Sequence, residues 1–190
     1  MYNEHLGGQK RRTRKVTINL SIDENIINSL RKDAEAKRAS LNARINAILT
    51  KYINFYQRTE EFEACIIVSR QFALFLEMLD EDKTAEIMKT DGTDAVISYF
   101  QHHNIPITLE SMIEFTFENL AIASGVCTKL SQHIDDEGFR WLVFDHRYGI
   151  KWSRIISEVF SFMLEKTCNM HTTVNLLPNT ISLKILKKDI

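Results

Sequence analysis

The sequence predicts a mainly helical chain with an α+β carboxyl-terminal part. Its expected order is a short strand and two helices, a helical segment, then a ββαββ domain. Three observations carry that prediction. Residues 15–22 alternate strictly between polar and branched apolar types, just ahead of two stretches with helical apolar spacing. The 190 residues hold 2 Pro and 6 Gly and are 44% hydrophobic, which suits packed helices and argues against disorder or low complexity. After Gly125 the helical period gives way to short apolar runs, punctuated by Asp135-Asp136-Glu137-Gly138 and Pro178-Asn179.

Charge divides the chain more sharply than its net value of −1 suggests. Residues 1–58 hold 12 Lys/Arg against 5 Asp/Glu (+7), and residues 59–190 hold 12 against 20 (−8). Such a split fits a front part that meets nucleic acid and a body that does not, although a solvated basic face has the same composition. The expected organisation is a flexible basic arm over 1–14, a strand-helix-helix domain over 15–57, and a linker or helix continuation over 58–64. An α+β body for regulation or oligomerisation then fills 65–190. No apolar run approaches the roughly 18 residues of a membrane span, and the first thirty residues do not read as a signal peptide, so no membrane partner is expected. Cys65, Cys127 and Cys168 are few and scattered, which points to a reducing cytoplasm.

In the front domain, Val16, Ile18, Leu20 and Ile22 share one face of an extended segment, and Lys15, Thr17, Asn19 and Ser21 share the other. Asp23 is the expected N-cap of a helix over about 24–37 with the stripe Ile26, Ile27, Leu30 and Ala34. Lys37-Arg38-Ala39 makes a tight connection. Ser40 is the expected N-cap of a second helix over about 41–57, striped by Leu41, Ile45, Ile48, Leu49, Tyr52, Ile53 and Tyr56. Elements this short cannot bury their own apolar faces, and a second copy of the same segment is the obvious partner.

The ordered set KVTINLSID and RASLNARINAILTKYI resembles the ribbon-helix-helix transcription factors over about 43 residues; the remainder of the chain resembles no family. The resemblance implies an obligate homodimer, alone or paired into a tetramer, whose two strands form an antiparallel ribbon in the major groove of double-stranded DNA. It implies base contacts from Lys15, Thr17 and Asn19. Their chemistry is suitable: Lys donates to guanine, Asn bonds an adenine edge, and Thr offers a hydroxyl and a methyl. It also implies a phosphate at the start of the second helix, beside Ser40 and Asn42. Apart from the resemblance, the basic composition of the arm makes Arg12 and Arg14 expected phosphate contacts, and Arg38 of the turn could add another. The glycine usual in that turn is replaced here by Arg38-Ala39.

In the body, an amphipathic stretch carries Ile66, Ile67, Phe72, Phe75, Leu76 and Leu79, with Asp80 and Thr93 as expected caps of helices near 81–90 and 94–103. Thr108 caps a further helix over about 109–124, stopped by Gly125. Strands follow over 126–134 and 139–146, a helix over about 150–167, and strands over 171–177 and 180–187. The junction after the second strand gathers His146, Arg147, Gly149, Lys151 and Ser153, which could converge on a small anionic effector. Capping and surface roles explain the same residues. Because nickel-responsive members of the resembled family carry a metal-sensing second domain, Cys168-x-x-His171 and His102-His103 are weighed as ligands. Neither has a matching second pair, so no metal and no other cofactor is expected. No phosphate loop, nucleophile elbow or oriented Cys/His pair stands out, so the chain does not read as an enzyme. The expected function is a cytoplasmic, prokaryotic, sequence-specific DNA-binding transcriptional regulator. The alternative is an antitoxin-like protein that binds a partner protein and autoregulates its operon.

Overall fold

The computed structural model of the chain describes residues 16–57 and 67–187. They form two compact units divided between Ala47 and Ile48. In the first, residues 16–22 take part in no strand, and helix α1 (Glu24–Ala36) begins at the expected place. Asp23 holds the N-cap position without a side-chain cap bond; Asn25 Oδ1 instead accepts the Ile26 N–H at 2.8 Å. Helix α2 (Leu41–Lys51) continues with π-helical spacing over Tyr52–Tyr56, so helical structure covers the expected span. Its last turns belong to the second unit.

The second unit opens with α3 (Ser69–Met78) and α4 (Glu81–His102). Asp80 caps α4 as expected, accepting the Lys83 N–H at 2.9 Å. The two helices expected near 81–90 and 94–103 are this one helix, and Thr93 caps nothing. A mid-helix glycine such as Gly92 costs about 1 kcal/mol relative to alanine. Burial outweighs it: Ala85, Thr93, Val96 and Phe100 line one face of α4, and a large apolar side chain gains about 1.5–3 kcal/mol when buried. Thr93 Oγ1, 1% exposed as a residue, has no hydrogen-bond partner among the described residues.

Thr108 caps α5 (Leu109–Ser111) in a capping box with Ser111, and the helix runs on with π-helical spacing over Met112–Ala121. Gly125, at φ +83°, ends it. The strand expected over 126–134 starts late, as β1 (Lys129–Ile134), because the preceding backbone is engaged elsewhere. The Cys127 N–H returns to Ala121 O at 3.0 Å, and Val126 O accepts the Trp152 indole N–H at 3.1 Å. Then come β2 (Arg140–Asp145), α6 (Gly149–Cys168), β3 (Met170–Leu177) and β4 (Thr180–Lys187), the expected ββαββ order. The sheet is antiparallel throughout, in the order β1-β2-β4-β3.

Alternation along β2 and β4 buries Leu142, Phe144, Ile181, Leu183 and Ile185 on one face. Helix α6 packs on that side of the sheet and also contacts α4, so Trp152, Ile155, Ile156, Val159, Phe160, Met163 and Leu164 are all buried. Phe117, Phe144 and Phe160 meet at its centre with ring centroids 4.8–5.3 Å apart. The second unit therefore has a complete core of its own.

Candidate nucleic-acid interface

Alternate side chains of residues 16–22 are left bare. Val16, Ile18 and Leu20 are 75%, 66% and 64% exposed, and Thr17, Asn19 and Ser21 are exposed beside them. Leucine and isoleucine in single exposed positions are ordinary; four branched apolar residues at a two-residue spacing, all exposed, are not. Behind them Ile26 is exposed, Ile27 and Leu30 are half-buried, and Ala34 alone among the described residues of this unit is buried.

Local bonding nevertheless fixes the two helices firmly. Asp33 of α1 pairs with Lys37 at 2.7 Å and with Arg44 of α2. Its carboxyl is held below the ordinary value by the hydrogen bond from Lys37 first and that from Arg44 second. The turn between the helices closes α1 in a Schellman arrangement: the Ala39 N–H reaches Ala34 O at 2.9 Å and the Arg38 N–H reaches Glu35 O at 3.0 Å. Arg38 stands at φ +50°, the left-handed conformation that glycine occupies at low cost. Ser40 then caps α2, its Oγ accepting the Ala43 N–H at 3.1 Å. Among the described residues the N–H groups of Leu41 and Asn42 donate to no acceptor, and they lie at the positive end of the helix.

Of the residues expected to meet DNA, Thr17, Asn19, Arg38, Ser40 and Asn42 are on the surface of this unit. Arg12, Arg14, Lys15 and the arm over 1–14 lie outside the described residues, as do the linker over 58–64 and Cys65.

The junction in the second unit behaves differently from its expected convergence. His146, 5% exposed, accepts the Tyr148 N–H at Nδ1 (3.2 Å), so the neutral ring carries its proton on Nε2 and donates to Ser153 Oγ (2.8 Å). Ser153 passes its own proton to Leu177 O at 2.7 Å. The His146 N–H meets Asn179 O at 2.9 Å, and Asn179 Oδ1 accepts the Gly149 N–H at 3.0 Å. Burial lowers the imidazole's pKa, partly opposed by the Asp145 carboxylate. Gly149 makes the turn at φ +79°. Lys151 is turned away to the end of α3, where Nζ donates to Leu79 O (2.6 Å) and Glu77 O (3.2 Å). Arg147 is exposed. His146 and Ser153 come together, but their polar atoms are spent on a latch between the start of α6 and the β3–β4 turn. Tyr148, Leu177 and Asn179 complete it; the sequence gives no local sign of those partners.

The weighed metal ligands do not assemble. Among the described residues no three His, Cys, Asp or Glu side chains gather as a metal site. His171 pairs with Glu165 at 3.5 Å, and Cys168 lies 3.5 Å from Thr167 Oγ1. The Cys127 thiol is pushed up to about 12 by burial first and by Asp145 second, so it is an inert core thiol. An open cleft of about 1170 Å³ lies at the far end of the sheet between Ile107, Phe139, Lys166, Met170 and Ile185, where Arg140 pairs with Glu110 at 3.4 Å. No described helix is long and apolar enough to cross a membrane. Compared with known protein families, curated proteins and solved structures, the chain matches none.

Proposed function

We propose that the chain is a homodimeric, sequence-specific DNA-binding regulator of prokaryotic type, acting in the cytoplasm. Two copies pair residues 15–22 as an antiparallel ribbon. Val16, Ile18, Leu20 and Ile22 turn inward over the helices of both copies, and Lys15, Thr17 and Asn19 turn outward to the major groove. The exposed, alternating apolar face of residues 16–22 above helices with one buried side chain carries this reading. Pairing would gain about 1.5–3 kcal/mol for each large side chain fully buried, which supplies the core the first unit lacks.

The turn supports the second contact. The Arg38 conformation brings Ser40 to the head of α2, and its cap leaves two N–H groups for a DNA phosphate. The second unit then serves oligomerisation or effector sensing.

Selection of genomic duplexes by the purified protein tests the reading. A recurring sequence with a two-fold or repeated half-site is expected, bound with an affinity that falls steeply with salt. Asn19→Ala should relax base preference at one position, at a cost of about 1–3 kcal/mol on the preferred site. Equal retrieval of every duplex, unaltered by Asn19→Ala, would remove the base-reading role.

A further inference from the structure

We infer that the outer face of α3 is a second self-association surface, docking on the same face of a second copy in antiparallel fashion. The inference rests on the dimeric reading above, which keeps that second copy tethered at an effective concentration of about millimolar. Helix α3 buries Leu76 and half-buries Phe72 towards the core. Its opposite side, with the two residues before it, is bare: Ile67 46%, Val68 64%, Leu74 60%, Phe75 52%, Met78 83% and Leu79 43% exposed. At about 200 Å² for a fully exposed large side chain, the stripe offers on the order of 600 Å². A standard interface takes about 800 Å² per partner, so the stripe supplies most of one. It also reaches the upper end of the largest apolar patch on a typical monomer, about 300–600 Å², where such patches are often functional.

Charge selects the occupant. Arg70 and Glu77 stand seven residues apart, nearly two turns, and so occupy one flank of the stripe. Both are exposed, and no described residue pairs with either side chain. In an antiparallel helix pair the same flanks meet. With the two-fold axis near Leu74, Arg70 of each copy faces Glu77 of the other, while the opposite flank presents Val68, Phe75 and Leu79. A parallel pairing would set the charged flank against that apolar one. The face is held steady as well, since Lys151 binds the terminal carbonyls of α3.

Disulfide trapping tests the inference in a full chain carrying Cys65→Ser and Cys168→Ser. Leu74→Cys, mildly oxidised at micromolar protein, should give mostly SDS-stable covalent pairs, and Asp91→Cys on α4 should give few. Adding Arg70→Glu should cut the trapping rate about fivefold, and Arg70→Glu with Glu77→Arg should restore it, as expected for two facing ion pairs. Sedimentation equilibrium of the unaltered chain separates the two claims. A monomer would overturn the dimeric reading together with this inference. A dimer in which Leu74→Cys stays untrapped, or traps without regard to the charge reversal, would overturn this inference alone.

Discussion

The two units solve the problem of burial in opposite ways. In the second, α6 lies between the sheet and α4, and every strand and helix from α3 onward contributes to one continuous core from Leu76 to Ile185. In the first, ion pairs, a Schellman turn and a serine cap shape two helices, yet Ala34 is the one buried side chain described. Polar contacts of that kind fix a geometry but contribute little net stability, because exposed ion pairs are worth about 0–1 kcal/mol. The lesson is that a unit can have well-defined local structure and still lack the apolar burial that makes it fold alone. On the proposed reading, a second copy supplies what it lacks.

The sharpest way to break this contrast is to place a charge among the bare apolar residues of 16–22. Leu20→Asp should abolish self-association of the first unit, raising the dissociation constant by about a thousandfold or more, since an unpaired carboxylate would sit in the new core. Sedimentation equilibrium measures it, and the thermal transition of the second unit should stay in place. The converse change is Trp152→Ala, expected to cost the second unit about 3–5 kcal/mol by opening a cavity where Phe72 and Tyr148 meet the indole edge to face. Urea unfolding followed by far-UV dichroism reports it, and dimerisation through residues 15–22 should survive wherever the second unit remains folded.

Acid should separate the units next. His146 has a folded pKa below its ordinary value of about 6.5, so its folded form binds fewer protons than its unfolded form. The stability it contributes is present above about pH 6.5 and is lost as pH falls through the lowered folded value. Asp33 is also lowered, from the carboxylate value of 3.8, so its contribution persists until far more acid conditions. Between about pH 6.5 and 4.5 the second unit should therefore weaken while the first does not. His146→Gln should flatten that part of the profile in urea titrations at each pH. The smallest effect sharpens the first unit: Arg38→Gly should stabilise it by about 1 kcal/mol by relieving the left-handed strain, visible as a higher Tm of the dimer. An unchanged or lower Tm would contradict the strain.

Local signals were legible in the sequence wherever one residue type fits one backbone geometry. Ser40, Asp80 and Thr108 cap the helices they precede, and Gly125, Gly138 and Gly149 occupy positive φ at turns. The ββαββ order was legible for the same reason. Features set by distant partners were not. Gly92-Thr93 looks like a break, but burial along α4 carries the helix through it. Lys151 and Ser153 sit five and seven residues from His146, which suggested a common ligand; Lys151 instead serves Leu79, and Ser153 serves Leu177. At the candidate interface the alternation of residues 16–22 was plain, whereas the Asp33–Arg44 tie needs both helices in place to be seen.

Methyl NMR on a mixture of isotope-labelled and unlabelled chains tests the two-chain ribbon most directly. The account predicts intermolecular contacts among Val16, Ile18, Leu20 and Ile22 of opposite copies, with the side chains of Thr17 and Asn19 still open to solvent. A single chain in solution, or two chains whose residues 16–22 make no contact across the pair, would contradict it.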